Sequence, residues 1–332
     1  MAEAAPLGPT TARRLRRVVV GLFFGLLLLA GWRLAPGYGS FVDESSCWES
    51  GQVTINYLYS CLPPSWLPAR VQASLARLPT RARLLSYPDR DYGVAFEVPV
   101  DVVVKLSGTT ARGEVIVLRH RLVWVACWLG CLALYWLARR RLGHWALGLL
   151  AVLLLLLSPR VSADFFYNSK DAVFLAAYLG ASATALAFVQ RPGWGTAAAH
   201  ALACALAIDV RIPGCIVPAV TGAMLLLRAW RGDYAGQPRV GRAVALYAAL
   251  LPLLVVACWP YLWSAPLAHF QQAFGAMSRF ALTRWAAPIL YQGVLLPAGA
   301  RLPWHYPLVW MGITTPLLYL AGLLLSLGLL LR

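Results

Sequence analysis

Apolar residues in this chain gather into long, nearly uninterrupted runs instead of recurring on one helical face. Runs of roughly 17 to 20 residues are long enough to cross a bilayer as helix. In lipid every backbone polar group must be paired within its segment, so the runs predict α-helices. Eight spans are predicted, at about 18–35, 121–138, 145–160, 172–190, 197–211, 213–229, 243–262 and 308–331. The fifth and sixth are short and meet at Asp209-Val-Arg-Ile-Pro-Gly214, which predicts a hairpin turning near the outer surface. The expected fold class is an all-α integral membrane protein with about eight transmembrane helices, forming a single domain over 1–332.

Between the spans lie polar segments of unequal length. Arg-rich connections occur at Arg13 to Arg17, at Arg139-Arg140-Arg141, around Arg191, and across Arg228, Arg231, Arg239 and Arg242. Eight spans with the N-terminus in the cytoplasm put all four connections inside, as the positive-inside rule requires. The basic start followed by Val18 to Leu29 resembles a leader. No small-residue cleavage site follows, so an uncleaved first span is expected. A long first extracytoplasmic loop, 36–118, and further outer segments at 158–171 and 263–307 complete the topology. Within the first loop, Ala69 to Leu85 predicts an amphipathic helix interrupted by Pro79, with Val71, Leu75, Leu78 and Leu85 beside Arg77, Arg81 and Arg83. Such a helix suits the membrane interface.

Composition agrees with this reading. Hydrophobic residues make up 60% and charged residues 13% of 332, well below the charged share of soluble domains. Much of the net charge of +16 comes from arginine clusters at span ends, where they order topology and meet anionic lipid head groups, and no soluble basic domain exists to bind nucleic acid.

The acids are distributed differently. Asp43, Glu44, Glu49, Asp89, Asp91, Glu97, Asp101, Glu114, Asp164 and Asp171 all fall in the first two outer segments, whereas Glu3 and Asp233 are the acids placed inside. The positive-inside rule says nothing about acids, and the inner loops are equally polar, so this skew locates the chemistry outside. Asp43-Glu44 could serve as general base, metal ligand or polar-ligand site. Asp91 and Tyr92, in Asp89-Arg-Asp91-Tyr92-Gly93, would suit a sugar, whose ring faces stack on aromatics. Asp164, Asn168, Lys170 and Asp171 occupy the second outer segment, where Lys170 at a helix start could meet phosphate. Arg160 and Arg211 could add positive charge, and His305, in Pro303-Trp-His-Tyr-Pro307, could donate to phosphate. The pattern demands no cofactor, although the acidic cluster could hold a divalent metal. Nucleotide-binding glycine motifs and zinc-ligand spacings are absent. Cys47 and Cys61 share the first outer loop and are expected to pair there, where thiols oxidise.

These motifs, in this order, resemble the GT-C glycosyltransferase superfamily. Asp-Glu just after the first span, the long first loop, Tyr167-Asn-Ser-Lys-Asp171, the Arg211-Ile-Pro-Gly214 turn and the Pro-Trp-His-Tyr-Pro…Thr314-Thr-Pro316 ending carry the likeness, over most of residues 18–320. It is nearest to bacterial members related to protein O-mannosyltransferases and to the lipid A aminoarabinose transferase. The resemblance implies a polyprenyl-phosphate-linked sugar donor, a protein, lipid or glycan acceptor, and inversion at the anomeric carbon in the cytoplasmic (inner) membrane. It gives Asp43 the role of general base, Glu44 that of its acidic neighbour, and Lys170, Arg211 and His305 contacts to the donor phosphate. Family members commonly have eleven or more spans, so a shortened core or a fragment is also implied. A transporter or flippase of a lipid-linked or anionic substrate is the competing expectation. It would place ionisable groups at mid-membrane and show repeats, which are not visible here. A non-catalytic subunit of an envelope complex is a third.

Overall fold

The computed structural model describes residues 9–77, 83–279 and 287–331. In chain order its helices begin with α1 (Pro9–Leu34), α2 (Glu44–Ser60), α3 (Ala69–Ala76), α4 (Glu97–Ser107) and α5 (Arg112–Leu142). They continue with α6 (Trp145–Leu156), α7 (Pro159–Tyr167), α8 (Asp171–Gln190), α9 (Trp194–Val210), α10 (Ile216–Trp230), α11 (Pro238–Cys258) and α12 (Pro266–Ser278). A short antiparallel hairpin, β1 (Ile289–Tyr291) and β2 (Val294–Leu296), precedes α13 (Tyr306–Thr314) and α14 (Leu317–Leu330). Among the described residues, five helices are long and apolar enough to cross a membrane: α1, α5, α8, α11, and α10 with the 3₁₀ turn that leads into it. The chain is therefore an all-α, multi-pass membrane protein in class.

Two expected spans are bent. The apolar stretch at 145–160 runs straight only to Leu156, then turns by 79° into α7, where Pro159 occupies the first helical position. The stretch at 308–331 breaks by 112° between α13 and α14. Thr315, preceding Pro316, is extended (φ −87°, ψ 130°), because the proline ring disfavours helical geometry in the residue before it. Taken as single spans, these pairs raise the number to seven, and α9 is a further, shorter apolar helix.

The bundle is organised around α5 and α9. α5 packs against α1, α6, α7 and α8, burying Phe24, Trp124, Cys127, Val152 and Phe166 in one cluster. α9 lies between α8 and α11, and its Ala197, Ala201, Cys204 and Ala205 are fully buried. Without a hydrophobic drive between helices in lipid, small side chains that permit close approach are what hold such packing together. The α9–α10 turn is equally tight: a Cβ on Gly214 would meet the backbone oxygen of Ala207 at 2.6 Å. The hairpin expected there from sequence is present, with Arg211 extended between α9 and the turn.

The segment between α1 and α5 folds as α2, α3, α4 and connecting turns. The helix expected over 69–85 is realised as α3, with a separate 3₁₀ turn at Leu84–Ser86; positions 78–82, which include Leu78, Pro79 and Arg81, lie outside the described residues. The expected Cys47–Cys61 disulfide is ruled out by α2 itself. Cys47 lies in its first turn and Cys61 caps its C-terminus, so both thiols are free. At 1.5 Å per residue the two are about 21 Å apart along the axis, and a disulfide needs Cα atoms within about 7 Å.

Candidate functional site

Helix direction decides which ends meet. The start of α8, the end of α9, the start of the α10 turn and the end of α11 converge at one end of the bundle, and α2 with the 89–93 turn lies across them. Between them is a cavity of about 500 Å³ whose walls include Asp43, Asp89, Asp91, Tyr92, Lys170, Asp209, Arg211 and Trp259. Five of the residues picked out from sequence therefore meet in one place, although they are drawn from four separate stretches of chain: Asp43, Asp91 with Tyr92, Lys170 and Arg211.

Each is positioned by a local device. Asp43 is the exposed residue preceding α2, and its backbone oxygen accepts a hydrogen bond from Ser46 Oγ at 2.9 Å. Asn168 Oδ1 accepts the backbone N–H groups of Lys170 (3.2 Å) and Asp171 (2.7 Å), an Asx turn that opens α8 and sets where Lys170 points. The Lys170 ammonium lies 4.3 Å from the centroid of the Tyr92 ring, a cation–π contact. Arg211 pairs with Asp171 at 2.7 Å across the α8–α9 boundary. Asp209 is buried, and its Oδ1 accepts the Ala95 N–H at 2.7 Å, which ties the 89–96 segment to the end of α9. Only glycine fits at position 93, since a Cβ there would meet the Asp209 backbone oxygen at 1.8 Å. Asp209 Oδ2, Arg211 Nε and Trp259 Nε1 are shielded from solvent and have no partner among the described residues, so this wall retains hydrogen-bonding capacity.

The remaining candidates stand elsewhere. Glu44 is buried and does not line the cavity; its Oε1 is 3.0 Å from His120 Nε2, and its Oε2 accepts the Phe41 N–H at 3.2 Å. Glu44 is a latch between α2 and α5 that fixes its neighbour Asp43. Asp164 lies on α7 and Asn168 acts through its turn; neither faces the cavity. His305 precedes α13 and packs against Tyr291 and Trp304, away from the cavity lining. Among the described residues no three or more His, Cys, Asp or Glu side chains converge as ligands of a metal ion; Asp43, Asp89 and Asp91 share the cavity without forming such a set.

One cluster was not anticipated. Arg119, on α5, is buried and donates from its two terminal nitrogens to Glu97 Oε2 and Asp101 Oδ1, one turn apart on α4, while its guanidinium lies 5.3 Å from the Trp48 ring. Burial lifts the Asp101 carboxyl from 3.8 to about 6, outweighing the pull of Arg119 and helped by the neighbouring Glu97. The same burial pushes the Lys105 ammonium down and the Cys47 thiol up, so Cys47 is held protonated. The signal for this cluster was present as Glu97 and Asp101 at helical i, i+4 spacing and an Arg-His pair facing into the start of a long apolar helix.

Comparison with protein-family models, characterised proteins and solved structures finds no match for the chain. The functional reading rests on the chemistry of the cavity.

Proposed function

We propose that this protein is an inverting glycosyltransferase of the GT-C type, which moves a sugar from a polyprenyl-phosphate donor to a protein, lipid or glycan acceptor. The observation that carries this reading is the cavity at the end of a membrane-helix bundle, in which a carboxylate, Asp43, and two cations, Lys170 and Arg211, line one space with the aromatic residues Tyr92 and Trp259. A lipid-linked donor requires a site at the membrane boundary, a phosphate requires cations, and a sugar ring requires aromatic and hydrogen-bonding walls. In the transfer, the acceptor hydroxyl attacks the anomeric carbon on the face opposite the phosphate. Asp43 takes the hydroxyl proton as the new C–O bond forms. The bond to the donor phosphate breaks, its electron pair leaves with the lipid phosphate, and Lys170 with Arg211 offsets the charge that grows there.

Membrane placement follows the same reading. The two bent helix pairs and α9 added to the five long helices make eight spans. The Arg-rich ends of α5, α8 and α10 and the start of α11 lie at the opposite end of the bundle from the cavity. On this reading that end faces the cytoplasm, as the positive-inside rule favours, and the cavity opens on the extracytoplasmic side.

The transporter reading has one observation in its favour, a histidine inside the bundle. His200 is fully buried, but its ring nitrogens lie 3.0 Å from Thr184 Oγ1 and 2.9 Å from Thr221 Oγ1. Thr184 already donates to Ala181 O, so it accepts from His200 Nδ1–H, and Nε2 accepts from Thr221. Both nitrogens are thereby committed to tying three helices together.

The test is release of polyprenyl phosphate by detergent-purified protein given a panel of polyprenyl-phosphate sugars. Asp43→Asn is expected to lower turnover by about 10²- to 10⁴-fold with donor affinity largely kept. Lys170→Ala is expected to weaken donor binding as well, since a phosphate contact exists before reaction. Near wild-type turnover in Asp43→Asn would move the base to another residue, and failure of the whole panel would end the transferase reading.

A further inference from the structure

Next to the main cavity is a second, much smaller chamber of about 20 Å³, which shares Tyr92, Gly93, Lys170 and Val210 with it. Cys47, Glu97 and Ser169 line its inner side. Glu97 Oε1 is shielded from solvent and makes no hydrogen bond among the described residues, Ser169 Oγ is shielded with only the Cys47 thiol beside it, and the two residues are only 6% and 8% exposed. Leaving a buried polar atom unpaired costs about 1–3 kcal/mol, more for a charged group. A space above roughly 10–15 Å³ with two to four polar neighbours is sufficient for one water molecule. Both requirements are met here.

Charge gives such a water a role. With both acids ionised, Glu97, Asp101 and Arg119 together carry one surplus negative charge in the interior. Lys170 lines the same chamber as Glu97 and carries the opposite charge. We infer that the chamber is a binding site for a single ordered water that bonds Glu97 Oε1 and Ser169 Oγ and joins them to Lys170, so that the buried acid pair serves as counter-charge to the lysine of the main cavity. Lys170 is then held from two sides, by the Tyr92 ring and by this bridge, at the boundary between chamber and cavity. The water site stands without the transferase reading; only the significance of a fixed Lys170 rests on it.

Two cysteines supply the test. Cys47 lines the chamber and is 3% exposed, whereas Cys127 is 0% exposed within the apolar core. Short X-ray pulses on the purified full chain generate hydroxyl radicals from waters in place, so a buried side chain touching a bound water is oxidised and a dry one is spared. Mass spectrometry is expected to show Cys47 oxidised several-fold faster than Cys127. In Ser169→Val, which removes one partner and fills the chamber with methyl groups, Cys47 should fall to the rate of Cys127. In Ser169→Ala, which leaves room for water, it should stay fast. Equal rates for the two cysteines in the unmodified protein would overturn the proposal, whether or not the variants fold. So would an undiminished Cys47 rate in a Ser169→Val protein that melts normally. Because the labelling uses no substrate, its failure leaves glycosyl transfer standing, and failure of the transfer assay leaves the water site standing.

Discussion

Arg119→Met should destabilise the protein strongly and in a pH-dependent manner. The substitution keeps a hydrophobic stem of similar length and deletes the guanidinium that Glu97 and Asp101 share in the interior. Removing one partner of a buried ion pair costs about 3–5 kcal/mol, because the other partner is left charged and unsolvated. Loss of the stacking on Trp48 adds roughly 0.5–2 kcal/mol. The pH dependence has a definite sign. The folded-state carboxyl of Asp101 already titrates near 6, above its value of 3.8 in an unfolded chain, and deleting the arginine raises it further. A folded pKa above the unfolded one means stability that is present at low pH and lost as pH rises through the folded value. The deficit of Arg119→Met should therefore be smallest near pH 5 and largest at pH 7.5. Thermal melts followed by tryptophan fluorescence in detergent are the assay. A deficit of 3 kcal/mol corresponds to roughly 4 °C for a chain of 332 residues. The triple variant Arg119→Met, Glu97→Gln, Asp101→Asn removes all three charges and should recover most of the loss. A drop in Tm that is equal at both pH values, or absent, would refute the electrostatic account of this cluster.

Other substitutions separate positioning from chemistry. Gly93→Ala forces a Cβ to within 1.8 Å of the Asp209 backbone oxygen, so it should displace the 89–96 segment and lower both thermal stability and turnover. Glu44→Gln and Asp43→Asn should behave oppositely despite being neighbours. The first weakens the buried contact with His120 and lowers Tm, at a cost of about 1–3 kcal/mol, while the second leaves Tm nearly unchanged and lowers turnover. Non-reducing mass spectrometry of the denatured protein should recover Cys47 and Cys61 without an intrachain bridge between them; a peptide pair linked through these two thiols would contradict the continuity of α2.

Much of the architecture was legible because lipid simplifies the code. Long apolar runs must be helices, so α1, α5, α8, α10 and α11 could be located from composition alone, with end positions shifting by several residues. The bends were less legible. Hydropathy sums over a window and does not register that Pro159 and Pro316 redirect the chain within apolar stretches. The cavity was partly legible. Polar groups beside apolar runs marked Asp43, Asp91, Tyr92, Lys170 and Arg211, and all five line it. The residue pattern by itself did not separate Asp43 from Glu44, which only the resemblance distinguished, because adjacent helix-start residues diverge by about 100° and the fold decides which of them reaches the cavity. It counted Glu97 and Asp101 among the outer acids without singling them out and passed over Arg119, since their meaning lies in a contact between segments about twenty residues apart.

The length of α5 has its own consequence. At 31 residues it is about 46 Å long, against a hydrocarbon core of about 30 Å. Arg119 and His120 immediately precede the apolar stretch expected to span at 121–138, and they grip α4 and the residue next to Asp43. α5 thus acts as a pushrod between bilayer and cavity. In a thicker or thinner membrane a helix of this length is expected to tilt or slide to match its apolar stretch to the lipid, and the Glu44–His120 contact is the link that would carry such a movement to Asp43. Varying acyl-chain length in reconstituted vesicles should then shift Asp43 relative to Lys170 without touching a single residue, a displacement that distance labels at the two positions would measure.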